Sequence, residues 1–319
     1  MSVAQRPRIG IIGTGAIGGF YGLMLARAGF DVHFLLRSEF TAVAERGLLL
    51  NSAVHGVLSL QPVQAYRSVV DMPRCDWLLV GAKTTSNKAL APIIGQAAAE
   101  GAKVVLLQNG LGVEGELRPL LAQSLHLLGG LCFICAHRSA PGVIEHQALG
   151  RVNLGYHSGP AGDVAARQQI VDAGVALFTA AGLDSSAMPD LDQARWQKLV
   201  WNVPYNGLSV LLNAGTRALM ANADSRALIE AIMQEVVDAA LACGHEMPQG
   251  YSGTLLAATD HIPDYLPSMY HDFAQQRPME LQAIYAAALA AAEQAGCELP
   301  RTRALYQSLR FLEQRSLGD

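Results

Sequence analysis

The polar residues with the clearest chemical potential lie in the stretch WQKLVWNVPYN, residues 196–206. Lys198 and Asn202 are four residues apart in an apolar run, so a helix places them on one face. Asn206 follows at the next step of four, just past Pro204, where we expect the helix to kink or break. An ammonium and two amides suit proton donation and hydrogen bonding to a polar ligand. The alternative is a lysine that reaches solvent and asparagines that cap carbonyls freed at the proline.

A glycine motif, GTGAIG at residues 13–18, lies between two patterns that predict secondary structure. Residues 8–12 form a short apolar run typical of a strand, and residues 20–28 have the apolar spacing of a helix. A second strand is predicted over residues 32–36, which completes a βαβ unit of about 30 residues. In this context the motif predicts a dinucleotide-binding loop.

Each glycine of the motif has an expected task. Gly13 permits the tight turn, Gly15 lets the backbone approach a pyrophosphate, and Gly18 lets helix and strand pack closely. The phosphate would lie at the positive end of the following helix. The expected cofactor-binding residues of this loop are Gly13, Thr14, Gly15, Ala16, Ile17 and Gly18.

The end of the second predicted strand selects the nucleotide. NAD enzymes usually carry an acidic residue there, which binds the ribose 2′-hydroxyl. This chain has Arg37 at that place, and a guanidinium attracts a 2′-phosphate, so the sequence favours NADP(H). The alternative is that Arg37 is a solvated loop charge and that nearby Glu39 binds the ribose.

Two further strands are predicted in WLLVGAK (77–83) and KVVLLQNG (103–110). Ligands of doubly wound sheets lie beyond the carboxyl ends of strands, which favours a role for Lys83 and Asn109. Lys83 would contact cofactor phosphate or ribose, and Asn109 would present its amide to the nicotinamide or the substrate. Two alternative interpretations are equally open: the Lys83 side chain covers apolar surface, and Asn109 is an ordinary turn asparagine.

The pattern of elements predicts two domains. Glycine-punctuated strands continue from about 126 to 155, a helix is expected over 164–181, and helical spacing dominates past about 190. We expect an α/β Rossmann-type dinucleotide-binding domain over residues 1–189, followed by an all-helical substrate and catalytic domain over 190–319. The alanine-rich C-terminal helices suit internal packing and the face of a homodimer equally well.

Composition excludes several classes of protein. Of the 319 residues, 51% are apolar and 16% charged, and the net charge of −4 argues against a nucleic acid or an anionic membrane as partner. No membrane-length apolar run is present, and the opening MSVAQRPRIGIIG has no secretory-signal pattern. Five cysteines fit reduced thiols, and we expect a cytoplasmic protein. Cys132 and Cys135 match C-x-x-C, but a buried strand explains them, and no metal site is predicted.

The chain resembles the ketopantoate reductase (2-dehydropantoate 2-reductase) family over essentially its whole length. The matching pieces are GTGAIG, AKTTSN, QNGLG, WQKLVWNVPYN, LPSMYHD, and RPMEL followed by GCELP. The resemblance implies a Rossmann-type domain, an all-helical domain, and reduction of ketopantoate to pantoate with NADPH in pantothenate biosynthesis. The chain departs from the family at one place: the family usually reads close to TEIDYING where this chain reads MELQAIYA, so another small 2-keto acid is an alternative substrate.

The resemblance also implies roles for residues. Lys198 matches the catalytic lysine, Asn202 and Asn206 match substrate-binding asparagines, and Asn109 matches the asparagine near both cofactor and substrate. Ser268 matches a substrate-binding serine, and Glu280 matches the catalytic glutamate near the cofactor. From the residues alone, Ser268 suits a helix N-cap, and Glu280 suits the first turn of a helix after Pro278.

The expected reaction is hydride transfer to the keto carbon of a small 2-keto acid, with Lys198 as the general acid. Partial desolvation would lower the pKa of such an ammonium and improve it as a donor near neutrality. Two alternatives remain: an NADPH-dependent reductase of another small keto or imino acid, and an NADPH-binding regulatory protein without turnover.

Overall fold

The computed structural model describes residues 6–318. Residues 1–5, which contribute to the expectation that no secretory signal is present, lie outside the described residues. Residue contacts divide the described chain into two compact units. One unit comprises residues 6–108 and 113–191, and the other comprises residues 109–112 and 192–318.

The first unit is built on a mixed sheet that has ten strands among the described residues. Its strands are β1 (Arg8–Ile12), β2 (Asp31–Leu35), β3 (Leu48–Ser52), β4 (Gly56–Leu60), β5 (Ala65–Tyr66), β6 (Cys75–Val80), β7 (Ala98–Leu106), β8 (His126–Ala140), β9 (Val143–Ser158) and β10 (Ser185–Ala187). The strand order is β4-β3-β9-β8-β7-β6-β1-β2-β5, and β10 pairs with β9. The helices are α1 (Ala16–Arg27), α2 (Phe40–Arg46), α3 (Asn87–Ala97), α4 (Val113–Leu117) and α5 (Val164–Ala180), with 3₁₀ turns at Thr84–Ser86 and Arg118–Leu120.

The central strands of this sheet run parallel, so their carboxyl ends share one edge. Strand β1 pairs with β2 on one side and with β6 on the other, and Ile12 lies opposite both Leu35 and Val80. Ile11 and Ile12 of β1, which point to opposite faces, are both buried, as expected for a strand covered on both faces. The loops that follow β1, β2 and β6 therefore start from the same edge.

The C-x-x-C pair lies in β8, which forms a long antiparallel hairpin with β9. Both thiols are buried, and burial raises the pKa of Cys135 to about 11. The prediction of a buried strand over these residues is confirmed.

The second unit is helical. Its elements are α6 (Leu191–Leu211), α7 (Thr216–Ala221), α8 (Ala223–Ala242), α9 (Tyr251–Asp260), α10 (Ser268–Ala274), a π-helical turn (Gln282–Ala286), α11 (Ala287–Gln294) and α12 (Pro300–Leu317). Residues from all of the longer helices share one apolar core. Ala288 and Ala292 of α11 are fully buried in that core, so the alanine-rich segment does pack within the chain.

Helix α6 differs from the sequence-based expectation. The sequence predicts a kink or a break at Pro204, and the break does not occur, because the helix continues to Leu211. A proline in a helix leaves the carbonyl four residues earlier, here that of Val200, without its usual partner, at a cost of about 3 kcal/mol. Burial of Val200, Val203 and Leu208 in the core offsets that cost, because packing decides helix continuity more than propensity does. No helix within residues 6–318 combines the length and apolar character needed to span a membrane.

Candidate active site

The glycine loop after β1 has the geometry of a pyrophosphate site. Gly13 has a φ of +88°, and a Cβ there would lie 2.4 Å from the amide nitrogen of Ala82. A Cβ on Gly18 would lie 2.3 Å from the Gly13 carbonyl oxygen, so both positions require glycine. A Cβ on Gly15 would meet nothing within 4 Å, so the backbone there faces open space. Helix α1 starts at Ala16 with no acidic residue in its first turn, which fits an anion at its positive end.

The other loop residues complete this surface. Ala16 and Ile17 are the first two residues of α1, and the first amides of a helix have no partner within it. The hydroxyl of Thr14, which is almost fully buried, donates to the Leu35 carbonyl at 3.4 Å. This long hydrogen bond joins the glycine loop to the end of β2. At this loop, backbone amides rather than charged side chains are therefore the groups available to a pyrophosphate.

The end of β2 presents a cation and a carboxylate that is already engaged. Arg37 is exposed two residues past the strand. Glu39 is only 5% exposed, it forms an ion pair with Arg138, and it accepts the amide of Gly142 at 2.9 Å. Its two carboxylate oxygens serve these two separate partners. The structure therefore favours Arg37 over Glu39 as the residue available to the nucleotide.

The loop after β6 carries Lys83, which is half-buried and directly precedes the 3₁₀ turn Thr84–Ser86. The side-chain amide of Gln108 donates to the Ala82 carbonyl at 2.8 Å and to the Asn87 side-chain oxygen at 2.7 Å. Gln108 and Asn87 are both buried, so they fix the two ends of this loop from inside. Sequence analysis missed both residues, although each lies in a quoted motif, QNGLG or AKTTSN.

In the helical unit, α6 carries Lys198, Asn202 and Asn206 at successive steps of four. Lys198 is half-buried, and the two asparagines are 6% and 2% exposed. The Nδ2 atom of Asn202 and the Oδ1 atom of Asn206 are buried without a hydrogen-bond partner among the described residues. Buried polar atoms are rarely left unpaired, because the cost is about 1–3 kcal/mol each. One donor and one acceptor, a helical turn apart, fit a small ligand that carries hydroxyl and carboxylate groups.

The loop at Asn109 is attached to this helix. Arg195, one turn before the lysine, donates from Nη1 to the Gly110 carbonyl at 3.1 Å. The amide of Leu111 donates to the Ala283 carbonyl at 2.9 Å. A Cβ on Gly110 would lie 2.4 Å from the Ala283 Cβ, which explains the glycine. Sequence analysis missed Arg195, which is 2% exposed, although an arginine in a core helix is itself a signal.

The last two expected residues lie near helix starts, but not as predicted. Glu280 is 4% exposed and precedes the π-helical turn, where its carbonyl accepts the amide of Ile284 at 3.1 Å. Glu280 is thus the residue directly before the helical segment that begins at Leu281, one position short of the predicted first turn. Ser268 is half-buried and is the first residue of α10, while Pro267 holds the N-cap position without a side-chain cap. The N-cap interpretation of Ser268 is wrong.

The structure thus places the expected residues in two sets. The glycine loop, Arg37 and Lys83 follow the carboxyl ends of β1, β2 and β6 in the first unit. In the helical unit, hydrogen bonds connect the loop of Asn109 to α6 and to the turn that follows Glu280. Ser268 begins α10, whose next residue belongs to the same core.

Comparison with known proteins agrees with these features. The family model described as "Ketopantoate reductase PanE/ApbA" matches residues 9–159, and the model of its C-terminal part matches residues 190–313. A 2-dehydropantoate 2-reductase of Nostoc sp. is 41% identical over 96% of this chain and 95% of its own.

Two crystal structures named 2-dehydropantoate 2-reductase have the same fold. The protein from Geobacter metallireducens is 37% identical, with a TM-score of 0.88 over 95% of this chain and 99% of its own. The protein from Methylococcus capsulatus is 33% identical, with a TM-score of 0.83 over 98% of both chains. The expected Rossmann-type fold with a helical C-terminal part is confirmed. The chain belongs to the ketopantoate reductase family, a family of oxidoreductases.

Proposed function

We propose that this protein reduces 2-dehydropantoate to pantoate with NADPH, and that Lys198 donates the proton. The observation that carries the proposal is the polar face of α6. A half-buried ammonium there precedes two buried amides, and one atom of each amide has no hydrogen-bond partner within residues 6–318. A small hydroxylated keto acid supplies the missing acceptor and donor.

The cofactor is assigned from the first unit, with residues 1–189 as the nucleotide-binding domain. The amides at the start of α1 would hold the pyrophosphate, because the backbone at Gly15 faces open space. Arg37 would contact the 2′-phosphate, since its guanidinium is exposed and Glu39 is engaged elsewhere. Lys83 would contact phosphate or ribose. When bound, NADPH supplies the hydride that the keto carbon receives.

The substrate and the proton are assigned to residues 190–319 and to Asn109. Negative charge develops on the keto oxygen during reduction, and Lys198 would give that oxygen a proton. Asn202 and Asn206 would orient the hydroxyl and carboxylate groups, which keeps the ketone in line for reduction. Asn109 would contact cofactor and substrate through its amide.

Ser268 and Glu280 have supporting roles in the proposal. Ser268 is half-buried and its hydroxyl makes no helix cap, so it is suited to hydrogen-bond the substrate. The Glu280 carboxylate is buried beside the turn that contacts the Asn109 loop, which suits a position near the cofactor.

The experiment is a substrate panel followed by NADPH absorbance. Ketopantoate, other branched or bulkier 2-keto acids and small imino acids are compared by kcat/KM, with NADPH and NADH in parallel. We expect reduction of ketopantoate with preference for NADPH. A higher kcat/KM for another acid would assign that acid as the substrate and leave the proposed type of reaction unchanged. NADPH binding without turnover of any acid would show a regulatory protein instead.

A further inference from the structure

The phenol of Tyr285 lies against the backbone of α6 between the two asparagines. Tyr285 is fully buried, and its hydroxyl donates to the Val203 carbonyl at 2.8 Å. The same phenol oxygen lies close to the backbone of Gly207. Burial raises the pKa of Tyr285 well above its ordinary value, so this hydroxyl stays protonated and keeps its donor.

Gly207 is required for this approach. A Cβ at that position would lie 2.5 Å from the Tyr285 hydroxyl oxygen and 2.7 Å from Cδ2 of Leu305. Only glycine lets the phenol reach the peptide groups of the helix there. The contact is thus built from both sides, with a buried donor on the π-helical turn and an open backbone on α6.

The turn of α6 that Tyr285 contacts is the one that carries the side chains of Asn202 and Asn206. Asn202 directly precedes Val203, and Asn206 directly precedes Gly207. The phenol oxygen therefore lies against the residue that directly follows each asparagine. Pro204 lies between them and has removed a backbone donor, so this turn has fewer internal hydrogen bonds than an ordinary one.

We propose that Tyr285 is a positioning residue that fixes the spacing of the Asn202 and Asn206 side chains and thereby sets the affinity for the keto acid. The proposal rests on the function proposed above, because it assigns those amides to the substrate. Without the hydroxyl, the Val203 carbonyl would lose a partner, and the turn would relax around the proline. Substrate binding should weaken, while nucleotide binding in the other unit should not change.

The test is Tyr285→Phe, which removes one oxygen atom and keeps the ring. The matched control is Tyr205→Phe, because Tyr205 is also fully buried, lies on α6, and donates its hydroxyl to the Met220 sulfur at 2.9 Å rather than to backbone. Three quantities are measured for each variant: KM and kcat with ketopantoate, the Kd for NADPH, and the Kd for pantoate with NADP present.

We expect Tyr285→Phe to raise KM and the pantoate Kd roughly tenfold, the size of one lost hydrogen bond. The NADPH Kd should stay the same, kcat should fall less than KM rises, and Tyr205→Phe should leave all values near wild type. Unchanged affinities in Tyr285→Phe, or equal changes in both variants, would overturn the proposal.

The pantoate measurement separates this inference from the proposed function. If the wild type binds pantoate but reduces no keto acid, the proposed reaction fails, and the Kd of the Tyr285→Phe variant still decides the positioning role. If the wild type neither binds pantoate nor reduces any keto acid, both proposals fall.

Discussion

Replacement of Arg37 by alanine should weaken NADPH binding and leave NADH binding almost unchanged. A hydrogen bond to a charged group contributes about 1.5–3 kcal/mol when it is well ordered. Arg37 is exposed, so water and salt screen the contact, and we expect about 1–2 kcal/mol. This free energy corresponds to a roughly 5- to 30-fold increase in the Kd for NADPH.

The assay is a fluorescence titration of NADPH and of NADH at low and high salt. Arg46→Ala is the matched control, because Arg46 is another exposed arginine, at the far end of α2. It removes the same charge without removing the expected phosphate contact. The loss in Arg37→Ala should shrink as salt rises, since exposed charges are screened.

A second comparison concerns Glu39, the alternative ribose ligand. Because its carboxylate is bound to Arg138 and to the Gly142 amide, Glu39→Gln should lower the stability but keep the ratio of the two affinities. The reasoning fails if Arg37→Ala weakens NADPH and NADH equally, or if Arg46→Ala reproduces its effect. A change of preference in Glu39→Gln would assign the ribose to the glutamate.

Two other predictions concern the sheet unit. Gly18→Ala places a Cβ 2.3 Å from the Gly13 carbonyl oxygen, so titrations should show similar weakening of NADPH and NADH binding. Thermal unfolding of this variant should show a loss of about 1–3 kcal/mol in the free energy of unfolding. The control is Gly95→Ala in α3, whose Cβ meets open space, and it should keep both affinities. Burial, together with the charge of nearby His55, lowers the pKa of His146 below its ordinary 6.5, while its ring hydrogen-bonds the Ser52 hydroxyl at 2.8 Å. The unfolded chain then takes the proton more readily, so the free energy of unfolding should fall as the pH drops from about 6.5 towards the folded pKa. We expect the unfolding free energy of His146→Asn, measured by urea titration at several pH values, to change less steeply with pH over that range. An unchanged pH dependence would show that His146 is not its cause.

Short sequence patterns predicted the glycine loop and the polar face of α6, because neighbouring residues alone determine both. The glycines at 13, 15 and 18 are required by one turn and one helix start, so their spacing alone predicts the loop. Lys198 and Asn202 share a face because a helix repeats every 3.6 residues, and the structure has that helix.

The remaining features depend on residues far apart in the chain. The continuity of α6 through Pro204 involves packing, and the Tyr285 hydroxyl that contacts this helix lies 82 residues after the carbonyl it binds. Glu39 is engaged by an amide 103 residues away, so its sequence neighbours give no sign of that use. The π-helical turn at Gln282–Ala286 likewise follows from tertiary contacts, since the alanine-rich sequence there is typical of an ordinary helix.

The central claim is that Lys198 supplies the proton, and its most direct test is the turnover of Lys198→Ala with ketopantoate and NADPH. The exposed Lys88 of α3 provides the control variant, Lys88→Ala. We expect kcat to fall roughly 10²-fold or more in Lys198→Ala, the usual size of a general-acid contribution, while the Kd for NADPH stays near that of the wild type. Turnover of Lys198→Ala at the wild-type rate would contradict the account.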